Sequence, residues 1–211
     1  MQFDMRSLSE PERYKIMTAT ITPRPIAWVT SRSRSGVINA APFSFFNMMG
    51  SDPPTVTLGL LRDPVKGFKD TASNILETGE FVVHLVTRKM AEAMNITCID
   101  APAEVSEIEL AGLATRPASV VAPPLIEGCP VAFECRNLSA VVTGPRQTIV
   151  IGEVLVAHID DACILDAKRR HIDNAALDLV ARLHGAGWYV RGGERFQLER
   201  PTWAQWQAGH D

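Results

Sequence analysis

The sequence predicts an all-β fold with a few helices, a barrel or sandwich of antiparallel strands, and three observations carry that prediction. Apolar runs of strand length alternate with turn signals along much of the chain. Few segments of helical crossover length lie between them, which argues against a doubly wound parallel sheet. The apolar parity also changes within one run near Asn137, as it does where a bulge bends an antiparallel strand toward closure.

The first strands are Ile26 to Val29, Val37 to Phe46 with Pro42 interrupting it, Val56 to Leu61, and Phe81 to Val86, each too short for a helix. In the second half Val131, Phe133 and Cys135 share one parity and Leu138, Ala140 and Val142 the other, and Ile149 to Val156 follows the turn at Gly144-Pro145. Three segments read as helical. The first ends near Glu77 with Gly79 as its stop and sets Val65, Phe68, Ala72, Ile75 and Leu76 near one face. It starts either at Asp63, with Pro64 in the first turn, or at Asp70, which leaves Lys66 and Lys69 in the entry loop. The others are Lys89 to Thr97 and Asp173 to Arg182. Ala101 to Pro124 has no period and reads as an irregular connection. No repeat or low-complexity linker divides the chain, so residues 1–211 are expected to form one domain.

With 211 residues, 46% hydrophobic and 21% charged, the chain has the composition of a globular protein with a real core. The net charge of −3, with no block of five like charges, argues against nucleic-acid and membrane-surface partners and favours small molecules. The start lacks a signal peptide's basic head and apolar run, and no segment approaches the roughly 18 apolar residues of a membrane span, so a cytoplasmic location is expected. Cys98, Cys129, Cys135 and Cys163 include no C-x-x-C pair and are expected as buried free thiols. His158, Asp160, Asp161 and Cys163 sit where strand alternation splits neighbours between two faces, so no metal site is expected. The sequons at Asn95 and Asn137 have no route to glycosylation without secretion. G-x-G-x-x-G, P-loop, H-E-x-x-H and G-x-S-x-G motifs are all missing, which leaves a Rossmann site, a P-loop and the hydrolase elbow unsupported.

The segment Asn39-Ala-Ala-Pro-Phe-Ser-Phe-Phe-Asn47, with Lys69-Asp70-Thr71 downstream, reads as a flavin mononucleotide site. Ala40 and Ala41 are small, Pro42 is rigid, and Ser44 and Asn47 are short donors; Lys69 and Thr71 add a cation and a hydroxyl suited to a phosphate. Pro42 removes a backbone donor in mid-strand, so this is an edge strand packing Phe43, Phe45 and Phe46 inward or a strand faced by a ligand. Lys69 to Thr71 is likewise either a solvated helix start capped by Asp70 or, with Lys66 and the free N–H groups, a phosphate seat, because cations at a helix start oppose its dipole unless an anion lies between.

Arg24-Pro-Ile-Ala-Trp-Val-Thr-Ser31, Gly36-x-x-Asn-Ala-Ala-Pro-Phe-Ser-Phe-Phe-Asn47, Asp52-Pro-Pro54, Lys69-Asp-Thr-x-x-Asn-Ile75 and Thr78-Gly-Glu-Phe-Val-Val83 occur in that order. Together they resemble the flavin reductase-like family, FMN-binding proteins related to the reductase components of two-component monooxygenases. The resemblance is closest from Ile21 to Val86 and looser from Pro130 to Tyr189. It implies a Greek-key antiparallel split β-barrel that forms a homodimer with FMN at or near the dimer interface. Thr30, Ser31, Ala40, Ala41, Pro42 and Phe43 would then line the ring and ribityl chain, with Asn39 opening the segment; Ser44, Asn47, Lys69 and Thr71 would hold the phosphate, and Arg62 would be a further cation. His84 stands where the family carries Asn, either altering a hydrogen bond near the site or serving as a core histidine. His184-Gly-Ala-Gly-Trp-Tyr189 resembles the family's Gly-Gly-x-Tyr segment with Ala186 replacing one glycine.

The implied activity is hydride transfer from NADH or NADPH to flavin, possible partners including a flavin-dependent monooxygenase. The cofactor performs that chemistry, so no catalytic side chain is named. A non-enzymatic FMN-binding electron-transfer or flavin-carrier protein, or a direct oxidase resembling pyridoxamine phosphate oxidases, is the alternative. Trp28, Phe43, Phe45 and Phe46 together are more aromatic surface than one small barrel is expected to bury, which also favours a dimer.

Overall fold

The computed structural model describes residues 1–208 apart from 66, 186, 194 and 195. Lys66 and Ala186, both named above, lie outside the described residues. The chain opens with helix α1 (Glu10–Thr20), then β1 (Arg24–Pro25), β2 (Ala27–Arg32), β3 (Ile38–Phe43), β4 (Phe46–Ser51), β5 (Pro54–Asp63) and the short β6 (Gly67–Phe68). Helix α2 (Asp70–Thr78) leads into β7 (Glu80–Leu85), and α3 (Ala91–Ile96) and α4 (Glu107–Leu110) follow. The short β8 (Thr115–Arg116) and β9 (Leu125–Ile126) precede the long hairpin of β10 (Val131–Gly144) and β11 (Gln147–Ile159). The remaining elements are β12 (Ile164–Asp166), β13 (His171–Ile172), β14 (Val180–Arg182), β15 (Tyr189–Arg191) and α5 (Trp203–Ala208).

The main sheet runs β3-β2-β7-β10-β11-β5-β4, with β6 added on β5 and antiparallel pairing throughout. Its two edge strands, β3 and β4, are separated only by Ser44 and Phe45. A sheet whose opposite edges are halves of one nearly continuous segment has to curl on itself. The Phe45 carbonyl accepts from Gly59 N–H at 2.6 Å, which carries the β4–β5 ladder into the bend. Only glycine fits there, because a Cβ on residue 59 would stand 2.8 Å from the Phe45 Cβ. This is an open, split barrel.

Alternation along β2 builds two layers. Ala27 and Val29 point inward to a core with Leu58, Phe81, Val83 and Val150, which α2 plugs with Ala72 and Ile75. Ile26 and Trp28 point outward to a second core with Met94 of α3 and Ile108 of α4. Trp28 is fully buried there and donates through Nε1 to Thr97 Oγ1 at 2.9 Å, so it is not dimer surface, contrary to the expectation from aromatic content. Phe43, Phe45 and Phe46 remain half-buried.

The β10–β11 ladder shifts register between Asn137 and Ser139, and also between Glu134 and Cys135, where parity had implied a bend. The first expected helix starts at Asp70 and stops at Gly79, a left-handed residue with φ 77°. Asp70 is its first residue rather than its cap, which is Lys69. Asp173 to Arg182 is not a helix: Asp173 Oδ1 accepts from the Ala175 and Ala176 amides in a turn, Asp178 has φ 46°, and Val180–Arg182 pairs as β14 with β1 and β15. The expected irregular connection contains α4 and β8. All four cysteines are free; Cys135 and Cys163 are buried, whereas Cys98 is exposed. Among the described residues no helix is long and apolar enough to cross a membrane.

Candidate functional site

The register of β2 and β3 sets Ser31 opposite Asn39 and Thr30 opposite Ala40. Ser31 and Asn39 therefore share the inner face, where two side chains of α2 meet them. Asn74 Nδ2 donates to Ser31 Oγ at 3.0 Å, and Asn39 Nδ2 donates to Thr71 Oγ1 at 2.7 Å. Thr71 and Asn74 are three residues apart and so lie on one helix face. All four residues are buried, so each pair satisfies groups that would otherwise be costly. Asn74 was not among the expected site residues, although its spacing from Thr71 places it on the same face.

At its N-terminus α2 has no side-chain cap. Lys69 occupies the cap position in an extended conformation, and its Nζ lies 3.4 Å from Asp100 Oδ1 in an exposed pair. Arg62 pairs with Phe68 in the β5–β6 ladder, one residue before Lys69, and its guanidinium stacks on the Phe68 ring at 4.7 Å. Its Nε is buried and has no hydrogen-bond partner among the described residues.

Thr30 and Ala40 face the outer layer. Thr30 Oγ1 donates to the Pro124 carbonyl at 2.7 Å, and Ala40 packs with Trp28 and Ile108. The Ala40 N–H points away from β2 and donates to Glu107 Oε2 at 3.0 Å. Pro42 is two residues on, so its missing N–H falls on the same outward side, where an edge strand tolerates it. Ala41 and Phe43 are half-buried, on the same face as Asn39.

The other end of β3 is built differently. Ser44 accepts a long hydrogen bond from Arg24 Nε at 3.4 Å, while the rest of the guanidinium donates to the Thr18, Ile21 and Leu183 carbonyls at 2.7, 2.8 and 2.9 Å. Arg24 thereby caps the C-terminus of α1, and burial lowers its pKa. Asn47 is exposed, and its Oδ1 accepts from the Met48 amide at 2.8 Å. Two cavities of about 710 and 620 Å³ share Pro23, Pro25, Phe46 and Asn47. Ser44 lies five residues beyond Asn39, roughly 16 Å of extended chain. Thr71 is bonded to Asn39, so within one protomer the structure does not bring Ser44 and Asn47 to Thr71 and Lys69.

His84 is a core histidine. It is fully buried; Ile126 N–H donates to its Nε2 at 2.9 Å, so Nδ1 carries the proton and donates to the Trp28 carbonyl at 2.9 Å. Burial lowers its pKa to about 4, against a smaller upward pull from the Trp28 carbonyl. Glu134 lies beneath the same outer face: burial works to raise its pKa, but hydrogen bonds from the Ser119 amide, His158 and the Val120 amide outweigh it and hold the value at about 2.

Residues 18–175 match the flavin reductase like domain family. An uncharacterized protein of Deinococcus radiodurans is 42% identical over 210 residues, spanning 97% of this chain and 92% of its own. Among solved structures, nitrilotriacetate monooxygenase component B from Bacillus cereus superposes with TM-score 0.89 at 32% identity, covering 94% of this chain and 98% of that one. The Pseudomonas fluorescens 2-nitrobenzoate 2-nitroreductase NbaA superposes with TM-score 0.86, also at 32% identity, covering 96% and 98%. The sheet order, the split between the edges β3 and β4 and the match over most of the chain agree: this chain belongs to the flavin reductase-like family, with its split-barrel fold.

Proposed function

We propose that this protein binds FMN and reduces it with NADH or NADPH. The observation that carries the reading is the start of α2, where unsatisfied helix N–H groups, Lys69 and the unpaired buried Nε of Arg62 come together without a capping side chain. Those groups fit a terminal monophosphate. When bound, the flavin supplies hydride-accepting chemistry; the chain's own task is to bind, orient and shield it. Lys69 and Arg62 neutralise the phosphate, Thr71 is held beside it by Asn39, and Ala41 to Phe43 offer a small, rigid wall along the split. Ser44 and Asn47 serve the opposite end, toward the ring or a second copy of the chain, rather than the phosphate. Thr30, turned to the outer face, contributes through the backbone of β2.

A homodimer is supported by α1 and its C-cap, which leave Tyr14, Met17 and Ile21 about half exposed along the smaller cavity. The B. cereus neighbour is a monooxygenase component, which supports a flavin-dependent monooxygenase as recipient of the reduced flavin. The P. fluorescens neighbour, equally similar in sequence, supports a second reading in which a nitroaromatic acid enters a cavity and is reduced directly.

Flavin titration tests the binding claim. Lys69→Ala is expected to weaken FMN by about 1.5–3 kcal/mol and to leave riboflavin unchanged. Equal losses for both ligands would refute the phosphate seat, and no FMN binding below about millimolar, some −4 kcal/mol, would remove the reading altogether. Anaerobic mixing with NADH or NADPH then separates a reductase, whose flavin bleaches within seconds, from a carrier, whose flavin does not.

A further inference from the structure

We propose that Glu107 is a positioning residue for the flavin segment: its buried carboxylate holds the outward amide of Ala40 and so fixes edge strand β3 in the place where FMN is received. The proposal rests on the FMN reading above. Strand β3 has β2 on one side and no strand on the other, so its outward N–H groups have no ladder partner. Pro42 has no N–H to satisfy. The Ala40 amide does, in a buried setting, and Glu107 Oε2 accepts it at 3.0 Å. Glu107 opens the single turn α4, and its neighbour Ile108 packs with Ala40 and Trp28, so turn and strand are fastened at two adjacent points.

Stability alone does not account for an ionisable group here. Glu107 is 5% exposed, and burial together with the negative charge of Asp70 at the start of α2 disfavours its charged form. A neutral acceptor would satisfy one amide at less cost. What the carboxylate adds is a directional, charge-assisted bond to the one outward amide between Asn39 and Pro42. It ties α4 to β3 within reach of the charge of Asp70, at the start of α2.

Hydrogen exchange of the Ala40 amide in flavin-free protein and FMN and riboflavin titrations of Glu107→Gln and Glu107→Ala test this. Glu107→Gln keeps an acceptor but loses the charge, and exchange and FMN affinity between those of native protein and Glu107→Ala are expected. Glu107→Ala should speed Ala40 exchange and weaken FMN by about tenfold or more. Riboflavin should weaken by the same factor, since the strand rather than the phosphate is disturbed, which distinguishes this loss from that of Lys69→Ala. Unchanged FMN affinity in folded Glu107→Ala, or undisturbed Ala40 exchange, overturns the proposal. Should Glu107→Ala not fold, Glu107→Gln decides: faster Ala40 exchange with weakened FMN affinity supports the role, and faster exchange with native affinity overturns it. Failure of the unaltered chain to bind FMN would sink the functional reading, while Ala40 exchange would still show whether Glu107 clamps the strand.

Discussion

The two ends of β3 differ in how much of their bonding one chain supplies. At the α2 end Ser31, Asn39, Thr71 and Asn74 are buried and paired with one another, and Glu107 takes the outward amide of Ala40. At the Ser44 end Arg24 alone gathers the carbonyls of α1 and Leu183, Asn47 is exposed, and two apolar cavities open beside them. The side chains of one end are finished within a protomer, and the other end stands open. The side chains that border the proposed phosphate seat are the finished ones, and the N–H groups at the start of α2 and Arg62 Nε stand open beside them; directional hydrogen bonds need fixed geometry, whereas apolar contact does not.

The most damaging way to break the contrast is Arg24→Ala. It strips the acceptors at the open end of their shared cation and should cost about 3 kcal/mol or more in denaturant unfolding. The Asn39–Thr71 pair should keep its exchange protection until global unfolding; simultaneous loss of both ends would show that they are not independent.

Acid tests the sheet that both ends share. His84 has its pKa lowered from 6.5 to about 4, so the unfolded chain takes up the proton first and stability should fall as pH drops through that window, by on the order of 3 kcal/mol. Glu134, lowered from 4.5 to about 2, should add a second loss between those values. Unfolding free energy measured against pH in native protein and in His84→Gln checks this, because the variant should lose only the upper window.

Asn39→Ala removes a donor at the finished end and leaves the Thr71 hydroxyl buried, which should cost about 1–3 kcal/mol of stability. Met17→Glu, at the open end, should alter folding of an isolated chain by less than about 1 kcal/mol because Met17 is half exposed, yet weaken self-association in sedimentation. An unaffected assembly would mean that α1 faces no second copy. The smallest effect belongs to Asp100→Ala, which breaks an exposed pair with Lys69 and should change stability by less than about 0.5 kcal/mol.

Much of this contrast could be read from residue order. Pro42 announced an edge strand because it cannot serve a central ladder, and the parity change near Asn137 announced a bulge because strand faces alternate strictly. Gly79 marked the stop of α2 through its left-handed backbone. Helix α1 went unread because it lacks an apolar stripe and buries only Thr18, although Ser9 and Glu12 give it a start signal: the Ser9 amide donates to Glu12 Oε2 at 2.8 Å. Asp173 to Arg182 has local helix character, but strand pairing with β1 and β15 overrides it. The site residues were legible as types and not as partners. The Glu107–Ala40 contact spans 67 positions in a stretch without period, so no local rule brings the two together.

The bend at Ser44 and Phe45 makes the barrel a clasp rather than a hoop. In a closed hoop every strand resists spreading through ladders on both sides; here β3 and β4 each have a strand neighbour on one side only and are joined to each other by the bend alone. The softest deformation of such a shape is a small change of curvature shared by the whole sheet, which moves the two lips apart without breaking a ladder. Passage along the split then needs no dedicated flap, and any rigid body lodged between the lips stiffens the entire shell.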